Sequence, residues 1–187
     1  MLPTGILIRT DLDDLGSSLP GRLIACGPSR LTVNMAPEDP GSGELFVLEL
    51  CQWSDEWCLI EITGPEELAA LVVESVVRHD PVSEVLSCSY RADAGEYSYA
   101  FFREGTLLET FESKGPSMES VKFTSELRRV PLQSLLRASD FMIESMSQFG
   151  IDTSSRPITD HRKVRIQVNL PGKRTFWQAL LGAASPG

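Results

Sequence analysis

Few residues in this 187-residue chain are arranged as chemistry would need them. The most enzyme-like stretch is Thr10-Asp11-Leu12-Asp13-Asp14, directly after the apolar run Ile6 to Ile8. An Asp-x-Asp at the end of a strand can hold Mg²⁺ and present a nucleophile to a phosphoryl group. Asp14 and Leu15, however, stand where such phosphatase sites use glycine and threonine, and no parallel strand-helix alternation follows. Read as a calcium loop from Asp11, Gly16 falls at the sixth position, but Arg22 takes the place of the glutamate that must close the site. His79 and His161 are the only histidines, too few for a histidine metal site or a histidine-assisted nucleophile. Cys26, Cys51, Cys58 and Cys88 include no C-x-x-C pair and read as buried, reduced thiols. Glycine-rich phosphate loops and G-x-S-x-G are missing as well. No catalytic set, cofactor site or metal site is expected.

The residues that stand out are suited to contact instead. Trp53-Ser54-Asp55-Glu56-Trp57 is an acidic turn carrying two aromatics, Glu104 sits at a hairpin tip, and Phe141 is a large aromatic on the polar side of a helix. Trp53, Asp55, Glu56, Trp57, Glu104 and Phe141 are therefore the candidate partner-binding residues, aromatics being common anchors at interfaces. The opposite reading is equally open for Trp53 and Trp57, which as core residues would leave the acids merely to solvate a turn. For Phe141 the alternative is cover by another part of the chain.

Charge narrows the class of partner. The chain carries a formal −9, unevenly spread: residues 1–150 hold 11 basic and 24 acidic residues, a net of −13, and residues 151–187 hold 6 and 2, a net of +4. So acidic a body lacks the positive face that displaces counterions from nucleic acid, and suits a basic protein partner. The basic segment is expected to pack back on the acidic body. The start of the sequence shows no secretory pattern and no apolar run is long enough to span a bilayer, so a cytoplasmic protein without a transmembrane segment is expected.

Patterning places these residues on an α+β framework of mostly antiparallel strands. Ile6 to Ile8, Arg22 to Cys26, Leu31 to Met35, Glu44 to Cys51, Glu56 to Thr63 and Val164 to Val168 read as strands, and 36–43 as a loop. Val85 to Arg91, Glu96 to Arg103 and Thr106 to Glu112 form a central meander, with Glu104-Gly105 as a two-residue turn. If Arg103 pairs with Thr106, then Phe102 faces Leu107 and Phe101 faces Leu108. Two main helices are expected, at about 65–79 and 131–149. In the first, Val73 and Val77 widen the apolar stripe enough to require cover on more than one side. In the second, Leu132, Leu135, Leu136, Ser139, Met142, Ile143, Met146 and Phe149 form the stripe, and Phe141 lies about 180° from Leu132. A short amphipathic helix over 175–181 gathers Phe176, Trp177, Leu180 and Leu181 on one side. The organisation is one acidic domain over 1–150, with the strand and short helix of 151–187 packed on it.

The order Trp57-Cys58-Leu59-Ile60-Glu61-Ile62, a helix, Ser89-Tyr90-Arg91-Ala92-Asp93, Tyr97 to Gly105, Glu112-Ser113 and a helix ending Phe149-Gly150-Ile151 resembles a group of uncharacterised bacterial proteins. Some of that group are immunity proteins of polymorphic toxin systems. The resemblance covers about half of the chain and rests on a hairpin and a helix stop, so it transfers no catalytic residue. It implies a non-catalytic protein-binding module, an immunity-type inhibitor that neutralises a basic toxin. A secretion chaperone or assembly adaptor, and an enzyme of unrecognised class, are the alternatives.

Overall fold

The first helix begins where the sequence offered a metal motif. In the computed structural model, which describes residues 4–28, 31–35, 46–80, 83–91, 93–127, 137–154 and 163–169, α1 runs Leu12–Cys26. Asp11 is its N-cap, its carboxylate accepting from the Asp13 backbone N–H at 2.8 Å, and Asp13 and Asp14 fall in the first turn, at the positive end of the dipole. The Asp-x-Asp is thus a helix start. The strand expected at Arg22 to Cys26 is the last part of this helix, a correction with a clear cause: Pro20 lies inside α1 and argued against it. An interior proline costs about 3 kcal/mol. Leu12, Leu15, Leu19 and Leu23, at helical spacing, are all buried, and each contributes roughly 1.5–3 kcal/mol, which outweighs that cost.

Among the described residues nine strands form one antiparallel sheet in the order β2-β9-β3-β4-β1-β5-β6-β7-β8. Their ranges are β1 Gly5–Arg9, β2 Thr32–Met35, β3 Phe46–Gln52, β4 Trp57–Thr63, β5 Val85–Arg91, β6 Glu96–Arg103, β7 Thr106–Lys114, β8 Val121–Ser125 and β9 Val164–Asn169. The fold class is α+β, as the patterning predicts. Strand β1 is central, pairing with β4 and β5. Gly5, at φ +140°, permits that closeness, since a Cβ there would stand 2.2 Å from the Ile60 carbonyl oxygen. Basic β9 is inserted between β2 and β3, where Lys163 and Arg165 meet Glu49 at 3.2 Å and 2.5 Å. These contacts lower the Glu49 carboxyl below its usual range, the Arg165 hydrogen bond first and Lys163 next.

Side-chain alternation divides the interior into two cores. On one face Ile6, Ile8, Leu48, Leu50, Ile60, Ile166 and Val168 pack under α1 and α2, the latter Glu66–His79. On the other, Leu7, Leu59, Leu86, Tyr99, Phe101 and Phe111 pack under α3, Ala138–Gln148. Helix α3 is shorter than expected: Arg137 is its extended N-cap, and residues 131–136 lie outside the described residues, as does the predicted helix over 175–181. Its buried stripe is Ala138, Phe141, Met142, Ser145 and Met146, continued by Phe149 after the helix end. Ile143, expected inside, is exposed. Among the described residues no helix is long and apolar enough to cross a membrane.

Candidate functional site

Of the six residues the sequence nominated, the structure divides aromatics from acids. Trp53 and Trp57 are 2% and 0% exposed, inside the core under α3. The turn between them closes tightly, the Trp53 N–H donating to the Trp57 carbonyl at 2.8 Å, and the Trp53 indole reaches the Asp152 carbonyl at 3.3 Å. Phe141 is buried too, stacked on Phe111 with centroids 4.7 Å apart and edge-on to Phe123 at 5.0 Å. Its assignment to a polar helix side is corrected, because the stripe is set by a helix that begins at Ala138 and not by Leu132. None of these three aromatics presents a surface anchor. Asp55, Glu56 and Glu104 are exposed.

Strand order brings the exposed acids to one end of the sheet. The start of β4, the end of β1, the start of β5 and the β6–β7 turn lie side by side, spanning three strand spacings or about 14 Å. Arg9 at the end of β1 reaches Glu56 at 2.6 Å and Glu84 at 3.1 Å, and Arg103 at the end of β6 reaches the other oxygen of Glu84 at 2.6 Å. The chain Glu56–Arg9–Glu84–Arg103 therefore ties the Asp55-Glu56 turn to the Glu104 hairpin. Both carboxylates raise the Arg9 guanidinium further above its ordinary value, through the hydrogen bonds of Glu84 and then Glu56. Glu104 and Gly105 take φ of 51° and 74°, as a primed hairpin turn requires, which fixes the tip. The register follows expectation at Arg103↔Thr106 and Phe102↔Leu107, then slips at a bulge so that Phe101 faces Glu109 and not Leu108. The start of α1, with exposed Asp11, Asp13 and Asp14, follows Arg9 at this same end.

A second feature has no counterpart in the sequence reading. Beyond α2, the α1–α2 side of β5, β6 and β7 is uncovered among the described residues, leaving an open groove of about 1110 Å³. Its floor is Ser87, Ser89 and Arg91 from β5, Glu96, Ser98, Ala100 and Phe102 from β6, and Glu112 and Lys114 from β7, with Ala69, Val73 and Val77 of α2 as one wall. The signal was present as small residues at alternate strand positions, which a solvated face shares.

The cores hold the remaining polar chemistry. Glu109, 1% exposed, accepts from the Tyr99 hydroxyl and from the Ser125 hydroxyl, each at 2.6 Å. All four cysteines are free thiols. Burial pushes Cys58 and Cys88 up to about 12, and raises Cys51. Among the described residues no group of histidine, cysteine, aspartate and glutamate is placed to hold a metal ion. No family model matches the chain, and comparison with curated proteins and with solved structures finds no match either.

Proposed function

We propose that the chain is a cytoplasmic, non-catalytic protein-binding module that receives a basic partner on the acidic end of its sheet, in the manner of an immunity-type inhibitor of a basic toxin. One observation carries the reading: two acidic turns far apart in sequence, Asp55-Glu56 and Glu104-Gly105, are held at one end of the sheet by Arg9, Glu84 and Arg103. Acids fixed by the fold meet a partner without first being ordered, which lowers the entropy cost of binding. Asp11, Asp13 and Asp14 extend the same field, and such a field accelerates encounter with a positive surface.

The test is co-purification of the tagged chain from its native host, beside the variant Asp55→Asn/Glu56→Gln/Glu104→Gln. A single stoichiometric basic protein, bound more weakly by the variant and at higher salt, supports the reading. Recovery of the chain alone, or of a partner that the variant holds equally well, overturns it.

A further inference from the structure

One of the bonds that caps the start of α1 comes from a residue 40 positions away. The first N–H groups of a helix have no partner within it. At α1 the Asp11 carboxylate serves the Asp13 N–H, and the Leu12 N–H donates to Gln52 Oε1 at 3.2 Å. Gln52 is the last residue of β3, and its amide is used at both ends. Its Nε2 donates to the carbonyls of Ser54 at 2.6 Å and Trp57 at 3.3 Å, the second of which also accepts from the Trp53 and Ser54 N–H groups at 2.8 Å and 3.1 Å. The Cys58 thiol stands 3.3 Å from the same Oε1 and 3.1 Å from the Thr10 carbonyl oxygen. One side chain thus holds the start of α1 to the β3–β4 turn.

The position asks for glutamine. An acceptor must face Leu12 and a donor with two hydrogens must face the turn; glutamate lacks the donors, methionine lacks both, and asparagine is one methylene short. Both segments held in this way are acidic at the surface, with Asp13 and Asp14 exposed in the first turn of α1 and Asp55 and Glu56 exposed in the β3–β4 turn. Arg9, Glu84 and Arg103 fix that turn to the Glu104 hairpin, and Gln52 fixes it to the helix.

We propose that Gln52 is a positioning residue of the acidic end, holding Asp13-Asp14 and Asp55-Glu56 in one fixed arrangement so that a basic partner meets them as a single rigid surface. Its use in binding rests on the reading above; the hydrogen bonds that make it a lock do not.

Native-state amide exchange tests the lock in the free chain. Gln52→Met removes acceptor and donors, so the amides of Leu12, Trp53 and Ser54 should each exchange about tenfold faster, the factor carried by one ordinary hydrogen bond. Gln52→Glu keeps the acceptor and loses the donors: Leu12 should exchange as in the wild type while Trp53 and Ser54 accelerate. General loosening does not separate the two segments in this way, and the amides of Leu59 and Ile60 in β4 serve as the control. The Glu variant carries the test by itself if the Met variant does not fold. Wild-type exchange at Trp53 and Ser54 in the folded variants, or equal acceleration at Leu12 and the turn in Gln52→Glu, overturns the proposal.

Labelled octalysine at low salt then separates the lock from its use. Gln52→Met leaves the net charge unaltered, yet should bind the peptide about threefold more weakly, because ordering once completed in folding is moved to binding. Asp55→Asn/Glu56→Gln/Glu104→Gln should bind it more weakly still. If that charge variant binds as the wild type does, the basic-partner reading falls and the exchange pattern alone judges Gln52. If the charge variant is weakened and Gln52→Met is not, the reading stands and the positioning role is overturned.

Discussion

Thr110 and Phe111 are neighbours in β7 and occupy opposite worlds. Phe111 is 1% exposed, stacked on Tyr99 at 5.4 Å and on Phe141 at 4.7 Å beneath α3. Thr110, paired with Ala100 on one side and Thr124 on the other, belongs to the α1–α2 side, on the part beyond α2 that no described helix covers. The same contrast recurs at Phe101 and Ala100, and at Cys88 and Ser89. Three strands thus carry an apolar face that makes them part of a core and a small, polar face that leaves them open to something else. Stability resides on the first and freedom to bind on the second.

The contrast is largest in unfolding energies. Phe111→Ala should cost about 3–5 kcal/mol in urea denaturation, and Thr110→Ala at most about 0.5 kcal/mol; similar costs for the two would erase the distinction. Next comes the polar knot inside the covered face. Tyr99→Phe, which leaves Glu109 with one hydrogen bond fewer, should cost about 1–3 kcal/mol in the same assay.

Each core also holds its own thiol reporter, Cys58 under α1 and α2, Cys88 under α3. With both raised to about 12, neither ionises appreciably near pH 8, so both should alkylate only when the structure opens. Mass-spectrometric labelling rates then tell whether the layers open together: in Phe111→Ala a larger acceleration at Cys88 than at Cys58 means that the α3 layer opens alone, and equal acceleration means one cooperative unit.

The smallest effect concerns β9. The depressed Glu49 carboxyl contributes stability that is fully present above its unfolded value of about 4.3 and is lost as pH falls through its lower folded value. Because Lys163 and Arg165 are themselves about half exposed, the loss should be about 0.5–1 kcal/mol. Glu49→Gln should lack this part of the decline in denaturation midpoints measured from pH 6 to pH 3; an unchanged profile would remove the ion pairs from the account of how β9 is held.

What the sequence disclosed follows from how local each signal is. Helix α2 was legible because Pro65, two glutamates and periodic leucines and valines mark it within fourteen residues, and the meander because Glu104-Gly105 can only be a turn. Helix α1 was obscured by Pro20 and by Ile24-Ala25-Cys26, which imitate a strand. Phe141 was placed on the wrong side because the helix phase was taken from Leu132, six residues before the described helix begins. The acidic end was half legible. Its acids mark their own turns, but the links that join them span 47, 75 and 19 residues, beyond any local pattern. The groove is more remote still, since α2, β5, β6 and β7 must all be placed before it exists.

The position of β9 also sets an order of events during synthesis. Among the described residues β2 pairs only with β9, which separates it from β3. Until residues 164–169 leave the ribosome, β3 is therefore a bare edge bearing Leu48 and Leu50, and β2 has no place in the sheet. Such an edge invites pairing with other nascent chains. Completion of this half of the molecule therefore waits for β9 although its first strand emerges within the opening forty residues, and ribosomes stalled before Arg165 should carry chains prone to aggregate and open to proteases at β2 and β3.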